Sequence, residues 1–369
     1  MSRTSAKHPT LRDVAALAGV SHQTVSRVVN HVPGVTPETR SVVEQAIARL
    51  GFRPHAIARS MAEGRTRTLA CLAPNLTDFT YASSIEGAEI VARQRGYFLL
   101  SASYGTDSGG SDQQFEALID ALVGPRRVDG LIVISPNVDL PVSLLPADFP
   151  VVLMGGCPRA DVANLVYLDN RGDAGLATTH LLQLGHTRIG QITGPLREDC
   201  SQERDAGYQQ ALGRAGIAHE SALTVEGDWS ATSGYEAFRS LLNWAPDITA
   251  VVVQNDRMAV GVIRAARDAG LAVPADLSVI GFDDMPLASY FDPPLTTMRQ
   301  DTFAIGRTCA ERLIAILDGS EPAQPPVRLT SELVTRGSTA RPANGRVTSG
   351  AALDDSTEAP AGRGRSERG

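Results

Sequence analysis

His22, Gln23 and Arg27 fall within one ten-residue run, SHQTVSRVVN over residues 21–30, and each can hydrogen-bond the edge of a base. A Gln amide pairs with adenine through two bonds, and an Arg guanidinium pairs with guanine in the same way. Ser21, Thr24, Ser26 and Asn30 carry small polar groups suited to phosphate oxygens, which fix register without reading sequence. The ordinary alternative is a surface helix whose polar residues are only solvated. It accounts for Gln23 or Arg27 taken singly, but not for the spacing around them.

That spacing is two short helices joined at a glycine. Thr10 and Asp13 are placed as a helix-capping box, and Val14, Leu17 and Ala18 form an apolar face. Gly19 supplies a left-handed turn at no steric cost. Ser21 starts a second helix with Val25, Val28 and Val29 as its buried stripe. His22 and Gln23 then occupy the first turn of the opposite face, where a recognition helix meets base edges in the major groove. Thr36, Pro37 and Glu38 open a third helix; Val43, Ile47 and Leu50 stripe it and Gly51 ends it. A fourth helical stretch is predicted from Pro54 to about Ala62, too short to hold in water unaided. Arg3, Lys7, Arg53, Arg59 and Arg65 are candidates for phosphate contacts, which give affinity rather than sequence choice.

A second group of polar and aromatic residues sits just after predicted strands. Asn75 and Phe79 follow the first strand, Trp229 follows one near Leu223, and Asn255 and Asp256 follow Val251 to Gln254. Asp283 and Asp284 follow VIGF, Gln300 follows TTM, and Arg204 opens a helix. Carboxylates, amides and Arg make paired hydrogen bonds to vicinal hydroxyls, and an indole face packs on the apolar side of a pyranose. Each also has a plainer use: Trp229 as core, Asp283 or Arg204 in a structural ion pair, Asp169 and Asn170 as a helix cap. His186 reads as structural.

The elements behind this group alternate strand and helix from Thr68 onwards, in two series of similar length, which predicts two lobes of parallel sheet covered by helices. Ligands of such sheets bind beyond the carboxyl ends of the strands, so a cleft between the lobes is the expected pocket.

Composition agrees with a reader attached to a sensor. The chain has 369 residues, 34 Lys and Arg and 41 Asp and Glu, for a net charge of −7. Residues 1–67 hold ten of the basic and four of the acidic residues, a net +6, which leaves −13 for the remainder. No apolar run is long enough for a membrane span, and the N-terminus lacks the apolar stretch of a secretory signal; a cytoplasmic protein is expected. Cys71, Cys157, Cys200 and Cys309 are far apart and show no metal spacing. No G-x-S-x-G, P-loop or G-x-G-x-x-G is present, so no enzyme, cofactor or metal is implied. A transport-type binding protein is the other class such a core permits, and the reader at Thr10 argues against it.

These residues carry a resemblance. Thr10 to Asn30, VTPETR and RPHAIARSM resemble the DNA-binding domain and hinge helix of the lac repressor (LacI/GalR) family. The likeness continues through HLLQLGHTRIGQITGP (180–195), ERDAGY (203–208), EGDWSATSGY (226–235), VVVQNDRMAVGV (251–262), VIGFDD (279–284) and PPLTTMRQD (293–301). It implies an α helix-turn-helix domain over 1–53, a hinge and linker over 54–67, and a two-lobed α/β core, periplasmic-binding-protein-like, over 68–337. The lobes would be 68–168 with 298–327, and 169–297 with 328–337. It implies a homodimer on pseudo-palindromic double-stranded operator DNA, repressing a carbohydrate-utilisation operon until a sugar-like effector binds; a corepressor of the opposite sign is the alternative. It assigns His22, Gln23 and Arg27 to bases, Ser21, Thr24, Ser26, Asn30, Arg53, Ala58, Arg59 and Met61 to the DNA backbone or hinge, and Asn75, Phe79, Arg204, Trp229, Asn255, Asp283 and Gln300 to the effector.

Three positions depart from the pattern. Met154 ends a strand where an aspartate that contacts the sugar is found, exchanging a carboxylate for a thioether. Met61 stands where leucine is common as a wedge into the minor groove, a task an unbranched apolar chain can still perform. After Gly337 the chain is rich in Gly, Ala, Ser, Pro and Arg, so residues 338–369 are expected to be disordered, without a leucine-heptad tail.

Overall fold

The computed structural model describes residues 9–29, 32–52, 64–105, 111–135, 144–145, 148–158, 164–320 and 325–343. Asn30, Arg53, Ala58, Arg59 and Met61 lie outside the described residues, as do the hinge stretch and residues 344–369.

The N-terminal region forms three helices: α1 (Leu11–Ala18), α2 (His22–Val29) and α3 (Pro37–Leu50). The capping box is made in both directions, with Thr10 and Asp13 each bonding the other's backbone. Gly19 and Gly51 take left-handed conformations at φ 66° and 61°. The Ser21 hydroxyl accepts the Thr24 amide at 3.1 Å, and Thr36 caps α3 ahead of Pro37. Val14, Ala15, Val25, Val28, Val43, Ala46 and Phe52 make the core. The sequence placed Leu17 on that inner face, but it is exposed. Ala15 is buried instead, with Leu11 and Ala18 packed on the same cluster.

The described residues divide into two compact units, those up to Tyr167 with Asp301–Leu329, and Leu168–Gln300 with those from Thr330. The first unit carries a six-stranded sheet in the order β11-β5-β4-β3-β1-β2. Its strands are β1 (Thr68–Ala73), β2 (Phe98–Ser103), β3 (Gly130–Ile134), β4 (Val151–Met154), β5 (Leu165–Leu168) and β11 (Val327–Leu329). The pairs β1–β2, β1–β3, β3–β4 and β4–β5 are parallel. Its helices are α4 (Phe79–Gln94), α5 (Ser111–Val123) and α10 (Thr302–Leu317). Gly87 and Gly306 let α4 and α10 meet at backbone contact, since a Cβ would lie 2.2 Å from the Phe303 carbonyl oxygen or 1.8 Å from that of Ser84.

The second unit repeats the plan in the order β12-β10-β9-β8-β6-β7. Strands β6 (Ile189–Thr193), β7 (Thr224–Glu226), β8 (Ala250–Val253), β9 (Ser278–Asp283) and β10 (Thr296–Arg299) are parallel neighbours, and β12 (Glu332–Val334) pairs antiparallel to β10. Helices α6 (Asn170–Gln183), α7 (Asp199–Arg214), α8 (Ala231–Trp244) and α9 (Asp256–Asp268) cover it. β6 and β8 are buried along their whole length, β9 up to Asp283, the pattern of parallel strands covered on both faces.

Order does not stop at Gly337. Ser338 is fully buried, accepts the Thr296 amide at 2.8 Å through its hydroxyl and donates to the Val279 carbonyl at 2.6 Å. His186 Nε2 donates to the Ala340 carbonyl at 2.8 Å, so Nδ1 accepts from the Thr249 hydroxyl, also at 2.8 Å. Residues 338–343, expected to belong to a disordered tail, are therefore ordered. Small polar residues look like tail in sequence, but here they replace missing strand partners.

Candidate functional site

On α2 the side chains of His22, Gln23 and Arg27 are exposed, while Val25 and Val28 are buried beneath them. Thr24 and Ser26 are half-buried. The Ser21 and Thr24 hydroxyls bond each other at 2.9 Å, so capping is their first duty. Arg40 of α3 donates to the Val28 carbonyl at 3.5 Å and braces the far end of the helix. The structure thus presents one polar face of α2 that carries His22, Gln23 and Arg27.

The segment leading from this region into β1 is fastened to the first unit. The Asp129 carboxylate accepts the Thr66 amide at 2.7 Å, the Thr66 hydroxyl at 2.9 Å and the Arg67 amide at 2.8 Å. Arg67 has φ 54°, a left-handed conformation disfavoured for a side-chain-bearing residue, and its guanidinium lies 5.7 Å from the Tyr97 ring centre. Arg65 donates to the Leu317 carbonyl at 2.7 Å and pairs with Asp318 at 3.3 Å. Its charge suggested a phosphate contact; in this structure it anchors the linker.

The remaining predicted residues separate by unit. In the first, Asn75 Oδ1 accepts the Thr77 and Asp78 amides at 3.1 and 2.8 Å and shapes the turn into α4, whose first residue is Phe79. Met154 ends β4 in a buried position, before Gly155 and Gly156 with positive φ.

In the second unit, Arg204, Trp229, Asn255, Asp283 and Gln300 gather at the carboxyl edge of the sheet. Gln300 follows β10, Asp283 ends β9, Asn255 follows β8, Trp229 follows β7 and Arg204 stands on α7 above β6. Trp229, Asp283 and Asp284 have φ 71°, 108° and 55°. Three side-chain-bearing residues in this disfavoured region are a concentration of backbone strain of the kind that collects at ligand sites.

Arg204 is buried and held on three sides. Its Nε donates to Asn170 Oδ1 at 2.9 Å, Nη1 donates to the Gln254 carbonyl, and the guanidinium lies 3.8 Å from the Phe282 ring centre. The Trp229 ring centre is 5.8 Å away. Trp229 is itself pinned. Its indole Nε1 donates to Glu198 Oε2 at 3.0 Å, and its ring lies so close to Gly194 that a Cβ there would meet Cζ2 at 2.1 Å. Burial pushes the Cys200 thiol up to about 12; the Arg204 guanidinium pulls against this, and the Glu198 and Asp283 carboxylates reinforce it.

The structure also separates neighbours that looked alike. Asp284 is the ion-pair acid, bound to Arg299 at 2.7 Å and Arg336 at 2.6 Å, whereas Asp283 ends the strand. Asp256 is wholly buried, accepts the Thr297 hydroxyl at 2.6 Å and is pushed up to about 7 by burial, a structural acid beneath the edge. Asn255 Oδ1 caps α9 at the Met258 amide, and its Nδ2 donates to the Trp229 carbonyl at 3.1 Å; it positions the indole loop. Gln300 is buried, and its Nε2 has no hydrogen-bond partner among the described residues. Among the described residues no cluster of three or more His, Cys, Asp or Glu is arranged to hold a metal, and no helix is long and apolar enough to cross a membrane.

A reading helix at one end and a strand-edge site on an α/β unit match known proteins in the same order. Residues 10–55 match the model for bacterial regulatory proteins of the lacI family, and residues 178–339 match that for a periplasmic binding protein-like domain. The HTH-type transcriptional regulator CelR of Thermobifida fusca is 37% identical over 336 residues, covering 88% of this chain and 96% of that one. This chain belongs to the lacI family. It is a DNA-binding transcriptional regulator. The ribose operon repressor of Escherichia coli K12 is 36% identical over 332 residues, with 89% of this chain and 99% of the relative covered. A lac repressor dimer bound to operator and the anti-inducer ONPF superposes with TM-score 0.84 at 31% identity, over 90% of this chain and 100% of that one. A CelR–cellobiose complex gives 0.68 at 34% identity, over 89% and 99%.

Within this lacI-family regulator, sequence reasoning missed Glu198, Gln254 and Gly194. Gln254 Oε1 accepts the Gly194 amide at 3.0 Å and its Nε2 donates to the Ser201 carbonyl at 3.2 Å, tying β6, β8 and α7 together behind Arg204. The available signal for Glu198 was its place at the start of the helix that carries Arg204.

Proposed function

We propose that this regulator represses a carbohydrate-utilisation operon and leaves its operator when a sugar binds at the carboxyl edge of the second unit's sheet. The observation that carries this is the Trp229 indole, fixed by Glu198 next to the Arg204 guanidinium. It pairs an apolar ring with charged hydrogen-bonding groups, as the two faces of a pyranose require. Asp283 and the unpartnered Gln300 amide add an acceptor and a donor, Asn255 holds the indole loop, and Asn75 and Phe79 serve from the first unit. The cellobiose in the CelR complex and the ribose operon of the other relative support a sugar as the ligand class.

At the DNA end, His22, Gln23 and Arg27 read bases. Ser21, Thr24, Ser26, Asn30 and Arg53 hold the backbone, and Ala58, Arg59 and Met61 form the hinge in the minor groove. Two copies read the halves of a pseudo-palindrome, in the cytoplasm, with no catalytic step. The domain limits follow: reader over 1–53, hinge and linker over 54–67, sensor from 68.

The test is an operator titration at fixed salt, with DNA from upstream of the protein's own gene and a panel of sugars. One sugar is expected to weaken binding by about 5- to 150-fold, the usual range for coupled sites. A panel that leaves the salt-matched affinity unchanged, while DNA binding itself is specific, refutes the sugar-responsive reading.

A further inference from the structure

The helix starts along the carboxyl edge of the second sheet carry acids: Asp169, Glu198, Asp199 and Asp256. Helix N-termini are the ordinary seats of phosphate groups, because their unbonded amides and dipole favour an anion. Three of the four N-termini at this edge are capped by a side chain, and the fourth carries two acids. Asp169 accepts the Gly172 amide of α6 at 3.1 Å. Ser230 accepts the Ser233 amide of α8 at 3.0 Å, with the Asp228 carboxylate on the Ser230 amide at 2.9 Å. Asn255 accepts the Met258 amide of α9 at 2.8 Å, ahead of buried Asp256. On α7 the N-cap residue is Glu198 and the first-turn acid is Asp199, both buried.

Glu198 behaves unlike the other three. Its side chain makes no capping bond to α7; the carboxylate turns to Trp229 Nε1 at 3.0 Å. Its negative charge is thereby held beside the indole rather than spent on the helix. The buried cation of this unit, Arg204, already gives Nε to Asn170, Nη1 to the Gln254 carbonyl and a face to Phe282. Asp283 ends β9 on the same edge, and the Cys200 thiol lies 3.9 Å from Glu198 Oε2. Beside the indole, then, a carboxylate is held in place while the nearby guanidinium is already committed.

We propose that this site selects uncharged, hydroxyl-rich ligands against phosphorylated ones, and that Glu198 is the residue that sets the preference. Hydroxyl groups donate to Glu198 and Asp283 and accept from Gln300 Nε2. A phosphate ester has no donor to offer the carboxylates, meets their charge as repulsion, and finds the one uncapped helix start, that of α7, taken by Glu198 and Asp199. The proposal rests on the sugar-responsive reading and deepens it.

Calorimetric titration of the full-length protein with paired probes tests it: cellobiose and its 6′-phosphate, ribose and ribose 5-phosphate, glucose and glucose 6-phosphate. The uncharged member of the pair that binds is expected to bind at least tenfold more tightly. In Glu198→Gln the amide oxygen still accepts the indole N–H but the charge is gone, so the ratio should shrink at least threefold. Glu198→Asp keeps the charge and should hold the ratio near the wild-type value, which keeps the question answerable if the Gln variant misfolds. A phosphorylated probe binding as well as or better than its partner to the wild type overturns the selectivity. An unchanged ratio in a folded Glu198→Gln variant overturns the role of Glu198. If no probe of either class binds, the sugar-responsive reading itself fails, and this proposal with it.

Discussion

Gly194→Ala gives the sharpest test of the pinned indole. No left-handed conformation is needed at Gly194, so the backbone tolerates alanine; the obstacle is the ring. The new Cβ would stand 2.1, 2.2 and 2.5 Å from Cζ2, Cη2 and Cε2 of Trp229, where carbon atoms in contact rest at about 3.5–4.0 Å. The ring must retreat by about 1.5 Å, the difference between those separations. It is not free to do so. Nε1 is bonded to Glu198 at 3.0 Å, the Trp229 carbonyl is held by Asn255 at 3.1 Å, and the residue already has φ 71°. Forcing a methyl into a packed site costs about 1–3 kcal/mol, and losing the bond to the carboxylate adds a similar amount. Melting should therefore fall by several degrees, at about 2–4 °C per kcal/mol for a unit of this size. Sugar affinity should fall at least tenfold, because a displaced ring no longer presents its face where Arg204 and Gln300 can act together. Adding Trp229→Phe should return part of the lost stability without returning the affinity, a non-additive pair as contact requires. A variant that melts and binds sugar as the wild type does would show that the indole is not seated as described. One that melts lower yet binds unchanged would show that the indole is not the platform.

Gln23→Ala and Arg27→Ala should each cost about 1–3 kcal/mol of discrimination at one base pair per half-site, read as a lower ratio of operator to random-sequence affinity; an unchanged ratio places base reading elsewhere. Asp129→Ala removes the acceptor of three hydrogen bonds from Thr66 and Arg67 and should weaken operator binding by about 1–3 kcal/mol, the scale of a lost charged acceptor. Equal affinity in a gel-shift titration would show that the linker needs no such anchor. Burial holds the His186 pKa below its usual value, so the folded state resists a proton that the unfolded chain accepts. Stability from this site is complete above the unfolded pKa of about 6.5 and is lost as pH falls below it. Asp256, raised by burial, works in the opposite direction between acid and neutral pH. The measurement is accordingly the difference in melting temperature between wild type and His186→Gln from pH 7.5 to 5; it should narrow as pH falls, and a flat difference refutes the assignment.

The parts of this molecule legible in sequence are those fixed by local rules. The βα alternation shows because β8 is buried along its whole length and is apolar throughout. The capping box at Thr10 and the glycine turns show because each is complete within four residues. The strand-end positions of Trp229, Asp283 and Gln300 could be read because topology alone puts them on one edge; Arg204, expected to open a helix, sits five residues inside one that starts at Asp199. What stayed hidden depends on partners far along the chain. Ser338 looks like tail until Thr296 and Val279, 42 and 59 residues away, are seen bonding it. Gln254 looks like a strand residue until it is found holding Gly194 and Ser201, more than 50 residues earlier. Glu198 is the instructive case, because its local rule misleads. An acid at a helix start predicts capping, and here the carboxylate leaves the helix for an indole 31 residues on. A side chain that declines the bond its position offers does so for a stronger partner or a task. The indole N–H of Trp229 is the partner, and keeping a negative charge at the ligand edge is the task that the paired-probe titration isolates.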